Sequence, residues 1–119
     1  MEISTFEQNG VIIRRFSGSV CFQDIINAWN LLFTSYHNLE DYKGILHSYL
    51  DAEFEHKDVN LNELVDYLKN HLDQLEDLKI AVVMDTPAVT HTIIMGRKVN
   101  SLQIKPFSTV EAALQWIEH

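Results

Sequence analysis

Along the chain, apolar positions recur with a period of two in some stretches and near 3.6 in others. Residues 2 to 7 (EISTFE) alternate loosely. Asn9-Gly10 follows, a pair that tolerates positive φ, and then residues 11 to 16 (VIIRRF), so the N-terminus predicts a β-hairpin. Past Gly18 the period changes. Ile25, Ile26, Trp29, Leu32, Phe33 and Tyr36 share one helical face, and Asp24 sits in the first turn, where a carboxylate suits the helix dipole. Residues 44 to 50 (GILHSYL) predict a short strand, and residues 51 to 60 (DAEFEHKDVN) a polar loop. Asn60 and Glu63 have capping-box spacing. Leu61, Leu64, Val65, Leu68, Leu72 and Leu75 then form the clearest amphipathic stripe, with Glu63, Asp66, Lys69, Asn70 and Asp73 on the opposite face.

Residues 78 to 84 (LKIAVVM) are continuously apolar and partly β-branched, the mark of a buried strand. Thr86 suits an N-cap and Pro87 a first helical position, predicting a helix over 87–98 with Arg97 and Lys98 in its last turn. Residues 102 to 107 (LQIKPF) form a last strand, which Pro106 places at an edge or ends. Ser108-Thr109-Val110-Glu111 has the S-x-x-E pattern of a capping box, ahead of a helix with Val110, Ala113, Leu114 and Ile117 inward. The order is ββαβαβαβα. It predicts an α/β fold, an N-terminal hairpin followed by repeating βα units on a mainly parallel five-stranded sheet. At 119 residues the chain is expected to form a single domain, 1–119.

Composition narrows the function classes. The chain is 46% hydrophobic and 22% charged, an ordinary globular balance. Its longest apolar runs fall far short of the ~20 residues of a membrane-spanning helix. No basic segment followed by an apolar one marks the N-terminus as a leader, so the expected location is cytoplasmic. The single cysteine, Cys21, excludes an intramolecular disulfide and a multi-cysteine zinc site; just before the first helix, it reads as a capping or buried thiol. The net charge is −8, and residues 40 to 77 hold eleven of the seventeen acids but three of the nine bases. Such a surface repels phosphate backbones and anionic lipid, which disfavours nucleic acid and membrane partners. It serves as a solvated helix face or as a patch for a basic partner.

Candidate chemistry is sparse. Asp51 and Asp85 each end a predicted parallel strand, the end of an α/β sheet where ligands bind. If the strands are neighbours, the two carboxylates can share a proton or a divalent cation; otherwise each simply opens a turn. His91, one turn into the predicted 87–98 helix, is placed to overhang Asp85 as a general base. None of the six histidines has metal-site spacing, and the isolated glycines form no phosphate-binding loop, so no cofactor is expected. The 11–16 and 44–50 strands mix in Arg14, Arg15, His47 and Ser48, which predicts a thinly covered sheet face near the hairpin. Ile13, Arg15, Ile45, His47 and Tyr49 are the candidate interaction surface there, for self-association or a protein partner.

Phe16-Ser17-Gly18, Leu50-Asp51, Lys79 to Val89 and Phe107 to Ile117 together resemble the SpoIIAA-like superfamily, the STAS-type domains to which bacterial anti-anti-sigma factors belong. More narrowly the chain is similar to a small uncharacterised STAS-like bacterial group. The resemblance implies a non-enzymatic protein-interaction or regulatory module; relatives of the fold class that bind lipid imply a small apolar ligand as an alternative. A small hydrolase using Asp51, Asp85 and His91 is the competing reading from the residues. The resemblance also implies an Asp-Ser phosphorylation site where the middle strand meets the next helix. Residues 51 to 60 contain neither Ser nor Thr, so no phosphoserine switch operates in that loop.

Overall fold

A computed structural model describes residues 1–55, 61–85 and 102–119. The predicted 87–98 helix, with Thr86, Pro87 and His91, lies outside the described residues, as do residues 56–60. β1 (Glu2–Gln8) and β2 (Val11–Val20) form the hairpin, antiparallel from Glu2↔Ser17 to Gln8↔Val11. Asn9 and Gly10 take φ of 52° and 81°, the two positive values that a two-residue hairpin turn requires. Helix α1 (Phe22–Ser35) crosses to β3 (Gly44–Phe54) through a 3-10 turn at Leu39–Asp41. Helices α2 (Leu61–Lys69) and α3 (Leu72–Leu75) precede β4 (Lys79–Val83). β5 (Gln103–Phe107) and α4 (Val110–Glu118) end the chain. Among the described residues the sheet order is β1-β2-β3-β4-β5, and every pairing after the hairpin is parallel. The expected mainly parallel five-stranded sheet is present, with β5 and its Pro106 on the edge, where a missing N–H is tolerated.

The two sheet faces carry different covers. Ile12, Ile45 and Ile80 pack against Ile26, Trp29 and Leu32 of α1 and Leu64, Val65, Leu68 and Leu75 of α2 and α3. Val11, Ile13, Leu46, Ala81 and Val83 pack against Ala113 and Ile117 of α4. Alternation along β2, β3 and β4 produces this division, one parity feeding each face.

Several boundaries differ from the sequence reading, each for a local reason. The segment read as a polar loop from Asp51 is strand through Phe54, because β2 runs on through Gly18 and offers it a partner (Ser17↔Asp51 to Val20↔Phe54). Between the pairs Arg15↔Ser48 and Ser17↔Asp51, β3 advances one residue more than β2, a β-bulge. The extra residue resets the alternation, so Ala52 and Phe54 pack in the cluster that holds Phe16 and Tyr49, while Leu50 is left 49% exposed. The stripe read as one helix from 61 to 75 breaks at Asn70-His71. There His71 N–H bonds Leu68 O at 3.0 Å, a tight i→i−3 closure, and the His71 ring Nδ1 lies 2.9 Å from Tyr67 O. At α4 the cap is Thr109, not Ser108: the Thr109 hydroxyl accepts from Ala112 N–H at 3.2 Å.

Candidate functional site

Of the predicted catalytic residues, His91 lies outside the described residues. Asp51 and Asp85 are both exposed at the C-terminal end of the sheet. The last β3–β4 pair is Ser48↔Val83, so both aspartates lie past the shared ladder, and Asp51 is in register with Ser17 of β2. No group of three His, Cys, Asp or Glu side chains is arranged to hold a metal among the described residues. Cys21 is the N-cap of α1; its N–H donates to the Asp24 carboxylate at 3.0 Å, which holds the Asp24 carboxyl below its ordinary value.

The surface predicted near the hairpin is mostly interior. Ile13, Ile45, His47 and Tyr49 are buried, and Arg15 alone is exposed. Ile13 pairs with Leu46 and packs under α4, whereas Ile45 packs under α1, so the two lie on opposite faces. The correction follows from coverage: both faces of β2 and β3 carry helices, and Arg14, His47 and Ser48 in those strands are enclosed rather than wetted. Among the described residues, Met1, Phe6, Leu31 and Leu50 are exposed large apolar side chains, and by register parity Phe6, Arg15 and Leu50 lie on the α4 side of the sheet. Phe6 is 38% exposed there, the Arg15 guanidinium carbon stands 5.3 Å from its ring centroid, and Leu50 protrudes at the bulge.

The residue that sequence reasoning placed wrongly is Arg14. It is only 2% exposed, although read as a polar interruption of a thinly covered face. The missed signal is parity: Arg14 stands between Ile12 and Phe16 in the alternation, and both point toward α1. Its Nη1 donates to Ala28 O of α1 at 2.9 Å and lies 3.4 Å from Nε2 of His47, its partner in the register. The guanidinium carbon sits 5.6 Å from the Phe16 ring centroid. No carboxylate pairs with Arg14 among the described residues, so a helix carbonyl and ring faces stand where a counterion would.

Aromatic rings close around this pair. Phe16 stacks on Tyr49 with centroids 4.5 Å apart and meets His47 edge-on at 5.1 Å. Trp29 of α1 tilts over His47 at 4.8 Å, and Phe54 approaches Tyr49 at 5.1 Å. Burial, then repulsion from Arg14, hold His47 neutral, well below the ordinary imidazole value. Burial lowers the Arg14 guanidinium, opposed by Tyr49 and Tyr36, and raises the Tyr49 hydroxyl, opposed by Arg14. With His47 neutral, Nε2 is the acceptor for the Arg14 N–H and the ring proton belongs on Nδ1. The arrangement ties β2, β3 and α1 together through one buried cation.

No protein-family model matches the chain, and no curated protein matches it. Solved structures do. A DUF3478-family protein with a SpoIIAA-like fold from Shewanella loihica PV-4 matches at a TM-score of 0.60 and 15% identity, over 98% of this chain and 92% of that one. An anti-sigma factor antagonist from Mycobacterium paratuberculosis matches at 0.60 and 17% identity, over 99% and 94%. The anti-sigma factor antagonist SpoIIAA in its unphosphorylated form matches at 0.57 and 12% identity, over 98% of each chain. These likenesses span nearly the whole length of both partners, and the hairpin, the parallel strands and their helices together constitute a SpoIIAA-like fold.

Proposed function

We propose that the chain is a non-enzymatic protein-interaction or regulatory module, and that it works without a phosphoserine switch in the 51–60 segment. The observation that carries this reading is the fold shared end to end with two anti-sigma factor antagonists, proteins whose description places their action on another protein. The docking surface we assign is the strip of Phe6, Arg15 and Leu50, where apolar area and one cation lie open beside the hairpin. A hydrolase built on Asp51, Asp85 and His91 is less well supported. Asp51 and Asp85 stand in solvent, whereas catalytic carboxylates draw their reactivity from enclosed surroundings.

The test uses tandem-affinity purification from cells that express the chain naturally, with wild type and with Leu50→Asp and Phe6→Ser, each shown to be folded by circular dichroism. A stoichiometric protein partner, or a defined homodimer, that is lost from both variants supports the reading. Retention of every partner by both variants removes the strip from the account. A hydrolytic activity that Asp85→Asn abolishes with folding intact replaces the reading altogether.

A further inference from the structure

We propose that His47 and Arg14 form an acid-sensitive latch, which holds α1 on the sheet at neutral pH and releases it on acidification. The geometry is the reason. Arg14 grips α1 through Ala28 O, and the same nitrogen lies 3.4 Å from His47 Nε2. The neutral imidazole can accept there. Protonated imidazole has no lone pair to offer and sets a second cation against the guanidinium.

No group facing the pair can compensate that charge, among the described residues. From β2 the neighbours are Arg14 itself and Phe16. From β3 there is Tyr49, and from β4 Val82, the register partner of His47. From α1 there are Trp29 and the Ala28 carbonyl, with Tyr36 at the helix C-terminus. None of these side chains is a carboxylate. With His47 only 1% exposed, solvent does not supply the missing screening unless α1 moves. Face position makes the release local, because α4 covers the opposite face through a separate cluster.

The sign follows from linkage. An unfolded histidine titrates near ~6.5, and the folded value of His47 is depressed. Stability from this site is therefore complete above about pH 6.5 and is lost as pH falls from there toward the folded value. One proton taken up on opening raises the opening constant by up to about tenfold per pH unit.

Amide hydrogen exchange between pH 7.5 and 5.0, corrected for intrinsic rates, reads this directly. Amides of α1 are expected to lose protection by up to about tenfold per pH unit below about pH 6.5, while those of α4 keep theirs. His47→Gln retains an acceptor without a titrating proton, and its α1 is expected to show no such dependence. Arg14→Met is expected to raise α1 exchange at pH 7.5 and to weaken the pH response in part, since the burial of His47 remains. If His47→Gln does not fold, the ring proton signals of His47 in wild type serve instead, and their midpoint must track the opening of α1. The latch is refuted if α1 protection is unchanged down to pH 5.0, or if His47→Gln keeps the wild-type dependence. It is equally refuted if α4 opens in step with α1, which would mark general acid unfolding.

Discussion

Gly44→Ala tests the packing of the whole sheet against α4. Gly44 opens β3 between Val11 of β2 and Lys79 of β4. A Cβ at this position would stand 2.3 Å from Lys79 O and 2.8 Å from Ile117 Cγ2. The first clash is with backbone and no side-chain rotation relieves it, so β4 must shift from β3. The shift strains the bond from Lys79 N–H to Lys43 O, already 3.3 Å long, and lifts Ile117 from its cluster. Overpacking of a core typically costs about 1–3 kcal/mol, and a weakened hydrogen bond adds roughly 1 kcal/mol. The expected loss is therefore about 3 kcal/mol, of the order of 10 °C in Tm for a domain of this size. Gly18→Ala is the control. Its φ of 84° strains any side chain, but the nearest atom to a new Cβ is 3.8 Å away, so the expected cost is about 1 kcal/mol. Urea and thermal unfolding followed by circular dichroism measure both. A Gly44→Ala protein that melts as wild type, or no lower than Gly18→Ala, would refute the close approach of β3 to β4 and α4.

Other consequences are simpler to check. Thr109→Ala should lower stability by about 1 kcal/mol in urea unfolding, through loss of the α4 cap, whereas Ser108→Ala should be nearly neutral. Phe54→Ala should cost about 2 kcal/mol, since Phe54 is partly buried against Tyr49; a true loop residue would cost almost nothing. The Tyr42 hydroxyl donates to Glu7 and is pushed up to about 12, so spectrophotometric titration should show its ionisation moving to lower pH in Glu7→Gln.

Within the described residues, the period changes along the chain are enough to read the order of the strands and of α1 and α4, because each element buries one face and its neighbours complete the core. The strands from Val11 and Gly44 begin where they are read to begin, and β4 begins one residue later, at Lys79. What single-sequence periodicity does not carry is pairing. Strand β3 continues past Leu50 because β2 continues opposite it, and the bulge at Leu50 exists only in that pairing. Arg14, Arg15, His47 and Ser48 read as polar interruptions of one thinly covered face, yet alternation alone separates Arg14 from Arg15. Arg14 and His47 share the parity of Ile12 and Ile45, and only the assembled sheet shows that α1 lies over them. The carboxylates tell the complementary story. Asp51 and Asp85 read as strand ends, but β3 runs on to Phe54 beside β2, and only the pairing shows that β4 stops opposite Ser48.

Under the proposed function, the exposed Phe6, Arg15 and Leu50 side chains dock a protein partner. Site-specific photo-cross-linking in cells that express the chain naturally tests it most directly, with a benzophenone side chain in place of Leu50 and, as a control, in place of Glu111 on the exposed face of α4. One discrete protein adduct, or a self-adduct, is expected from position 50 and none from position 111. No adduct from position 50, or the same adducts from both positions, would contradict it.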